Sequence, residues 1–590
     1  MCEAVSEALA IDRSLVVQAG TGTGKTLAYL VPAALSGQRT VVATATKALQ
    51  DQLAHKDLPH LAEHLQGELS FAVLKGRANY LCLQRLSELS GPEEQLGLEG
   101  VEKLPKQALA ALRLWADSTD TGDRADLPEE PPRRVWESVS VSSRECPGAQ
   151  RCPKGDECFA ERARHRAAEA DVVVVNTHLY GLDLAAEGAV LPEHDVVVFD
   201  EAHQLEDVVT ATAGVELGAS RLTAVAAAAR RVLQAPDLIG DVTAAADLLR
   251  EALAEHRGRR LRVLPDEVAD ALVFARGRVE TLMASLREVP SDQPEVDTRK
   301  ARALKLTGGL IDDVAVALEV PEDDVCWVEG EPPVLRVAPI DVSDLLRVGV
   351  WQVRTAILTS ATIPEALPDR LGLDDATELV VDSPFDFEEQ ALLYCAAHVP
   401  DPRQPGWSEA VHDELAALIE AAGGRTLALF TSWRAVDEAA EAVGARIRTR
   451  ILTPDQLPKA ALLEAFRSEE ETSLFATMGF WQGVDVPGAS LSLVAIDRLP
   501  FARPDEPLLQ ARRERAGRDA FRLVDLPRAT TLLAQGAGRL IRTSTDRGVV
   551  AVLDPRLATA GYRWDLIRAL PPMRRTKDRA EVEAFLAGLA

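Results

Sequence analysis

The sequence predicts an α/β protein with two parallel-sheet lobes, and three observations support this fold class. Short apolar runs alternate with helical stretches in the amino-terminal part, an order typical of parallel strands because each needs a crossover to the next. The strongest of these runs are buried-strand patterns without polar alternation. The carboxyl-terminal part shows the same alternation of short apolar runs and helical stretches, which indicates a pair of related lobes. The strand candidates are residues 15–17, 40–44, 171–175, 195–199, 356–358, 426–430, 473–475, 491–496 and 548–553.

Bulk properties restrict the class of protein further. At 590 residues the chain is too long for one hydrophobic core, and 47% hydrophobic with 27% charged residues is an ordinary globular composition. No run of 18 apolar residues and no signal-like start is present, so we expect no membrane partner and a cytoplasmic location. The net charge of −27 argues weakly against a nucleic-acid partner, although a narrow basic channel can hold a strand in an acidic protein.

Composition and hydrophobic periodicity change twice within the first lobe. Residues 75–169 contain Pro, Arg and Cys with weak periodicity, and residues 204–321 have helical spacing with few strand signals. We therefore predict a cysteine-containing insert at 76–165 and a helical insert at 206–321. The first lobe would then comprise residues 1–75, 166–205 and 322–378, and the second lobe residues 379–590.

A glycine-rich loop follows the first strand and opens a helix. Glycines in this position let backbone N–H groups turn inward and hold the phosphates of ATP. Lys25 would neutralise phosphate charge, and the Thr26 hydroxyl would bind Mg²⁺. A glycine-rich turn beside a chance Gly-Lys-Thr is the alternative, and the flanking strand and helix argue against it. The loop reads Ala19, Gly20, Thr21, Gly22, Thr23, Gly24, Lys25, Thr26.

Two adjacent acids and a histidine end the buried strand at 195–199. Carboxyl ends of parallel strands are where open α/β sheets place ligands. Asp200 would hold Mg²⁺ through water, Glu201 would orient and deprotonate the attacking water, and His203 would couple the site to the other lobe. The alternative is a simple helix N-cap, since acids favour that position.

Four cysteines lie in the first insert, at Cys82, Cys146, Cys152 and Cys158. Three are six residues apart beside Pro and Gly, which suit ligand-bearing loops. Four thiolates can hold a [4Fe–4S] cluster or a tetrahedral Zn²⁺, and the spacing alone leaves both open, together with unligated thiols. Nearby aromatic residues Tyr80, Trp136 and Phe159 could stack on bases.

At this point the chain resembles superfamily 2 helicases, in which two RecA-like lobes share one ATP. Residues 200–203 match the Asp-Glu-Ala-His box of that superfamily. Further blocks follow in the same order. They are residues 44–50, 359–362, 429–432, 479–485 and 535–542.

The resemblance implies an ATP hydrolase and assigns roles to these blocks. Gln535, Arg539 and Arg542 of the last block would be catalytic, and the two arginines would reach the γ-phosphate across the cleft, so that hydrolysis depends on closure of the lobes. Because Arg539 and Arg542 are three residues apart, we expect both on one helical turn facing the cleft. The resemblance also places Gly483 and Asp485 at the nucleotide. Contacts with a single strand are expected for Thr44, Thr46, Lys47 and Tyr80.

The cysteine insert is similar to that of the XPD/DinG group of iron–sulfur helicases. Residues 76–82, 176–179 and 383–385 also resemble this group, and the helical insert occupies the place of its arch domain. The resemblance implies a [4Fe–4S] cluster on the four cysteines, with Zn²⁺ as the alternative. It further implies a monomer that moves 5′ to 3′ on single-stranded DNA and unwinds forked or tailed duplexes in repair or replication.

One departure and two alternatives accompany this interpretation. Only 18 residues precede Ala19, which leaves no room for the adenine-reading glutamine block of such relatives; either the chosen start codon is too far downstream or adenine selection is lax. One alternative function is an RNA-directed ATPase, or a translocase that does not unwind. The other is a redox-sensing scaffold that binds single strands without turnover of ATP.

Overall fold

The computed structural model describes residues 1–20, 22–65, 69–89, 106–290, 293–469, 471–477, 486 and 488–589. The strands in chain order are β1 Ser14–Ala19, β2 Thr40–Thr44, β3 Phe71–Val73, β4 Val172–Asn176, β5 Val196–Asp200, β6 Val215–Gly218, β7 Arg260–Leu261, β8 Asp324–Glu329, β9 Val334–Pro339, β10 Thr355–Ser360, β11 Ala376–Val381, β12 Ala391–Cys395, β13 Thr426–Phe430, β14 Arg450–Leu452, β15 Thr472–Thr477, β16 Leu493–Ile496, β17 Gly548–Val552 and β18 Arg574–Thr576.

The α-helices of the same described residues complete the list of elements. They are α1 Cys2–Ala10, α2 Lys25–Leu35, α3 Lys47–Gln52, α4 Leu58–His64, α5 Leu83–Glu88, α6 Lys106–Ala116, α7 Arg133–Val139, α8 Phe159–Glu169, α9 Thr177–Ala185, α10 Leu205–Ala213, α11 Ala219–Arg230, α12 Pro236–Ala254, α13 Asp266–Glu288, α14 Pro294–Leu318, α15 Ser343–Leu346, α16 Leu367–Arg370, α17 Phe387–Gln390, α18 Trp407–Ala422, α19 Trp433–Gly444, α20 Lys459–Ser468, α21 Pro507–Ala516, α22 Leu526–Ala537, α23 Arg556–Thr559, α24 Arg563–Ala569 and α25 Arg579–Ala587.

The first lobe is built on a seven-stranded sheet in the order β11-β1-β10-β5-β2-β4-β3, in which every pairing is parallel. Its central strands β2, β5 and β10 are buried along their whole length, as expected of a sheet with helices on both faces. The second lobe repeats the plan with the order β14-β15-β13-β16-β17-β12-β18, again parallel throughout. The prediction of two parallel-sheet lobes is confirmed.

The helical insert differs from its prediction in one respect. Helices α11 to α14 pack around a core of their own, but a four-stranded antiparallel sheet in the order β6-β9-β8-β7 lies beneath them. Two of its strands, β8 and β9, fall in a segment that the sequence analysis gave to the first lobe. The sequence analysis predicted no strand there, and the pairing with β6 and β7 shows that β8 and β9 belong to the insert.

The boundary between the lobes also differs from its prediction. Strand β11 pairs with β1 along its whole length and therefore belongs to the first sheet, although residues 379–381 were assigned to the second lobe. This strand is the edge of the sheet, and three of its six residues are exposed and none is buried, so its hydrophobic signal is weak. The linking segment between the lobes begins after Val381.

The second lobe also touches the insert through helix α21. Leu508 and Ala511 of this helix pack against Trp327 and Ala338 of the small antiparallel sheet. On the same helix, Arg512 donates to Asp207 Oδ1 at 3.0 Å. Asp207 lies in α10, which packs in the first-lobe core through Leu205 and Val209, although residues from 206 onward were predicted to belong to the insert. Helix α21 is thus a contact point for three parts of the molecule. None of the helices in the described ranges has both the length and the apolar character needed to cross a bilayer.

Candidate functional site

The glycine-rich loop lies where the sequence predicts it, between β1 and α2. Gly22 and Gly24 have φ values of +77° and +74°, a left-handed conformation in which a side chain is strained. Thr23 Oγ1 donates to the carbonyl of Gly20 at 2.8 Å, which tightens the turn. Lys25 and Thr26 are the first residues of α2. The loop therefore ends at a helix N-terminus, which favours phosphate binding.

The register of the first sheet brings three blocks to one edge. Gln18 of β1 pairs with Ser360 of β10, and Thr359 of β10 pairs with Asp200 of β5. Since all three strands are parallel, the phosphate loop, the 359–362 block and the Asp-Glu-Ala-His residues leave the sheet side by side. Lys25 Nζ lies 4.0 Å from Glu201 Oε1.

The two carboxylates are held in contrasting environments. Asp200 is buried, and burial followed by the negative charge of Glu201 raises its pKa. Burial also disfavours the charged form of Glu201, but the hydrogen bond from His203 and the charge of Lys25 outweigh it and lower its pKa. Glu201 has a φ of +59°, and such backbone strain clusters at functional sites. A charged Glu201 suits a group that orients and deprotonates water.

A chain of hydrogen bonds joins the second lobe to Glu201. The amide nitrogen of Gln535 lies within hydrogen-bonding distance of His203 Nε2. His203 Nδ1 is 2.8 Å from Ser360 Oγ, and Ser360 Oγ donates to Glu201 Oε2 at 3.2 Å. With the proton of His203 on Nδ1, each group donates to the next, so one tautomer satisfies the whole chain. Gln535, predicted at the cleft, therefore does contact the Asp-Glu-Ala-His box.

The expected placement of the two arginines on one helical turn is wrong. Helix α22 ends at Ala537, and Arg539 and Arg542 follow it in a turn and an irregular segment. The backbone N–H of Arg542 donates to Asp546 Oδ2 at 2.8 Å, which fixes this segment. Gly538, which has a low helix propensity, stands at the C-cap and is the signal in the sequence that the helix stops. Both arginines remain close in sequence to Gln535.

Two contacts of the nucleotide site escaped the sequence analysis. The hydroxyl of Tyr29, a fully buried residue of α2, donates to Asp200 Oδ2 at 3.2 Å. The ring of Phe385, which also packs against the core of the second lobe, lies directly over Gly22, where a Cβ atom would collide with it. Tyr29 is one helical turn after Lys25, which is the only hint that the sequence contains.

The four predicted cysteines converge in the described part of the insert. Burial raises the pKa of the Cys82 thiol to about 11, and Cys152 and Cys146 add to the shift. Burial likewise raises the pKa of Cys152, with contributions from Cys146 and Cys158. Among the described residues, no three of these four sulfur atoms lie within 4.8 Å of one another. Backbone N–H groups of Arg85 and Lys154 point at Cys82 and Cys152.

The predicted strand contacts have mixed outcomes. Tyr80 is wrong as a stacking residue, because it is 4% exposed and its hydroxyl accepts a hydrogen bond from the Lys75 N–H. Trp136 and Phe159 are buried as well. Thr44 is fully buried in β2, so its side chain cannot contact a strand, and Thr46 caps α3 by accepting from the Leu49 N–H at 3.2 Å.

Lys47 begins α3, and its expected contact with a strand stays a prediction. The predictions for Thr21, Gly483 and Asp485, and the whole block at 479–485, lie outside the described residues.

Comparison with known proteins agrees with this geometry. A sequence family described as DEAD/DEAH box helicase matches residues 2–91, and one described as Helicase C-terminal domain matches residues 415–573. The solved structure titled XPD_Helicase shares the fold, with a TM-score of 0.62, 16% identity and 98% of each chain covered. Fold and site together define a superfamily 2 helicase that hydrolyses ATP.

The ATP-dependent helicase DinG of Mycobacterium tuberculosis is 43% identical over all of this chain and 94% of its own length. The ATP-dependent DNA helicase YoaA of Escherichia coli is 35% identical over all of this chain and 95% of its own length. The chain therefore belongs to the DinG family of ATP-dependent helicases.

Proposed function

We propose that this protein is an ATP-dependent DNA helicase that moves 5′ to 3′ on single-stranded DNA, unwinds tailed or forked duplexes, and serves DNA repair or replication. The observation that carries the proposal is the hydrogen-bonded chain from Gln535 through His203 and Ser360 to Glu201. It makes the position of the hydrolytic carboxylate depend on contact between the lobes. The naming of the YoaA relatives as DNA helicases supports DNA as the substrate.

In this proposal the phosphate loop at 19–26 holds the phosphates of ATP. Lys25 neutralises their charge, and Thr26 and Asp200 hold Mg²⁺. Glu201 takes the proton of the attacking water, and Arg539 and Arg542 stabilise the charge that develops on the γ-phosphoryl group. Gly483 and Asp485 remain predicted members of the site from the sequence alone.

We propose further that Cys82, Cys146, Cys152 and Cys158 bind a [4Fe–4S] cluster. Four thiolates suit either zinc or an iron–sulfur cluster, and the similarity of this insert to that of the XPD/DinG helicases favours the cluster. The N–H groups directed at Cys82 and Cys152 are the donors that thiolate ligands of clusters use. A bound cluster would supply a rigid cross-link for a loop-rich insert.

Strand displacement on tailed duplexes tests the motor. We expect the wild-type chain to unwind a 5′-tailed duplex and not a 3′-tailed one, and Lys25→Ala to abolish unwinding. Lys56→Ala, which alters an exposed lysine of the same lobe, is the control and keeps activity. Unwinding from the 3′ tail would overturn the polarity, and unwinding by Lys25→Ala would overturn the motor itself.

Stimulation of ATP hydrolysis separates the substrates. Single-stranded DNA is expected to stimulate turnover more strongly than RNA of the same sequence. Stronger stimulation by RNA would support an RNA-directed ATPase instead. Binding of single-stranded DNA without turnover of ATP would support the redox-sensing scaffold instead.

A further inference from the structure

One face of the longest insert helix, α14, rests on the loops that carry the cysteines. Thr298 Oγ1 donates to the carbonyl of Arg151 at 2.7 Å, and Lys305 Nζ donates to the carbonyl of Cys146 at 2.9 Å. Thr298, Arg302 and Lys305 are spaced by four and three residues, so they share one face of the helix. Side chains of α14 are therefore hydrogen-bonded to backbone carbonyls of the loops that carry the cysteines.

Arg302 lies in the middle of this face and is almost completely covered, with 6% of its side chain exposed. Its Nη1 is 3.3 Å from Glu88 Oε2, and Glu88 is itself 4% exposed. Glu88 ends α5, the helix whose N-cap residue is Cys82. The helix that leaves the first cysteine is thus tied by a buried ion pair to α14.

Several guanidinium groups surround the Glu88 carboxylate. Arg85, Arg231 and Arg299 also lie within 4.0 Å of its carboxylate, at 3.8, 3.2 and 3.9 Å. Burial opposes ionisation of Glu88, but Arg302 and its neighbours lower its pKa, so the carboxylate is charged. Four guanidinium groups face one carboxylate. Arg302 stands between Thr298 and Lys305 on the face of α14 that is bonded to the carbonyls of Arg151 and Cys146, so its charge lies beside the cysteine loops as well as beside Glu88.

Positive charge beside the four cysteines would stabilise an iron–sulfur cluster bound to them. Four thiolates around an iron–sulfur core carry net negative charge, and buried negative charge needs compensation from nearby cations or hydrogen bonds. Partners beyond the ligands commonly change metal affinity by about 10–100-fold. Arg302 and Lys305 are the members of α14 placed to supply such compensation.

We propose that Arg302 and Lys305 of the helical insert are positioning residues of the cysteine metal site, so that retention of the metal and docking of α14 on the cysteine loops stabilise each other. This inference rests on the metal site proposed above. Linkage between two equilibria is reciprocal: if docking of α14 tightens metal binding, then bound metal tightens docking by the same factor.

The first arm of the test measures metal release from the full chain, purified without oxygen, with a ferrous chelator and absorbance. Arg302→Gln and Lys305→Gln are expected to release iron at least about 5-fold faster than wild type, consistent with the range for such partners. Lys300→Gln is the matched control, because Lys300 donates to the carbonyls of Arg287 and Val289 within the helical insert. Its release rate should stay at the wild-type value.

The second arm measures hydrogen exchange in wild-type protein before and after the metal is stripped. Faster exchange is expected in residues 294–318 and not in α12, which packs within the insert core. Equal iron release from wild type, Arg302→Gln and Lys305→Gln, or unchanged exchange in 294–318, overturns the linkage. Lys305→Gln removes one bond to a carbonyl and keeps the test informative if Arg302→Gln fails to fold. Wild-type protein without iron or zinc would instead overturn the metal site.

Discussion

Replacement of Tyr29 by phenylalanine is expected to weaken Mg²⁺-dependent nucleotide binding while leaving the fold intact. The change removes only a hydroxyl, which donates to Asp200 Oδ2 at 3.2 Å from a fully buried ring. Loss of a group that orients a ligating carboxylate commonly costs about 10–100-fold in metal affinity. Because Asp200 is proposed to reach Mg²⁺ through water, the lower end applies. We expect a loss of about 10-fold, or about 1.4 kcal/mol.

The pH dependence of this variant gives a second and independent signature. Burial and then Glu201 raise the pKa of the Asp200 carboxyl, and the Tyr29 hydroxyl acts in the opposite direction. A protonated carboxyl cannot hold a cation, so Mg²⁺-dependent binding weakens as the pH falls through this pKa. Removal of the hydroxyl raises the pKa further. The weakening should therefore begin at a higher pH in Tyr29→Phe than in wild type.

Titration of Mg²⁺ against a fluorescent ATP analogue, at neutral and mildly acidic pH, measures both effects. Tyr180→Phe is the matched control, since Tyr180 is also fully buried in the first lobe and its hydroxyl is 3.1 Å from His194 Nε2, away from the phosphate loop. The control should bind as wild type does. If Tyr29→Phe and Tyr180→Phe both follow the wild-type curve at every pH, the hydroxyl has no role in positioning Asp200.

Three further substitutions test other parts of the site. Ser360→Ala removes the hydroxyl that bridges His203 and Glu201 and leaves only their direct contact at 3.4 Å. The loss of one hydrogen bond to a charged group should lower kcat by about 10-fold with little change in nucleotide affinity; an unchanged kcat in steady-state hydrolysis would contradict the role of Ser360 in the hydrogen-bonded chain. Glu201→Gln should lower kcat by about 10²–10⁴-fold, the usual contribution of a general base, while equilibrium binding shows ATP still bound; near-normal turnover would assign the base elsewhere. Gly22→Ala puts a side chain on a left-handed residue against the ring of Phe385 and should destabilise the chain by about 1–3 kcal/mol in chemical unfolding; an unaltered midpoint would mean that the ring moves aside.

The central strands and the phosphate loop could be predicted from the sequence because each signal is local. Strand β5 is a run of buried apolar residues that ends in Asp200 and Glu201, and such a run needs no knowledge of its neighbours. The same holds for Lys25, which follows a glycine-rich turn and opens a helix. In both cases the chemistry and the local backbone preference point to the same structure.

Features that depend on distant contacts could not be predicted in this way. Tyr80 has the composition of a stacking residue, and only the packing of the insert shows that it is buried. The hydroxyl of Tyr29 reaches a carboxylate 171 residues away. Strands β6 and β7 are short and lie within a stretch of helical spacing, and they pair with β8 and β9 only across the helices of the insert. The wrong helical placement of Arg539 and Arg542 has a different cause. Gly538 is a local signal for the end of the helix, and the sequence analysis did not use it.

Helix α21 couples the position of the insert to that of the second lobe. Its apolar side is buried against the small sheet at the foot of the insert, and its Arg512 is bonded to Asp207 only a few residues beyond the Asp-Glu-Ala-His box. If the second lobe rotates, either this apolar contact breaks or the small antiparallel sheet of the insert moves with the lobe. A tilt there is transmitted along α14, which is long and stiff, to the loops that hold the cysteines. The 25 residues of α14 thus connect the contact with the second lobe to the loops that carry the four cysteines.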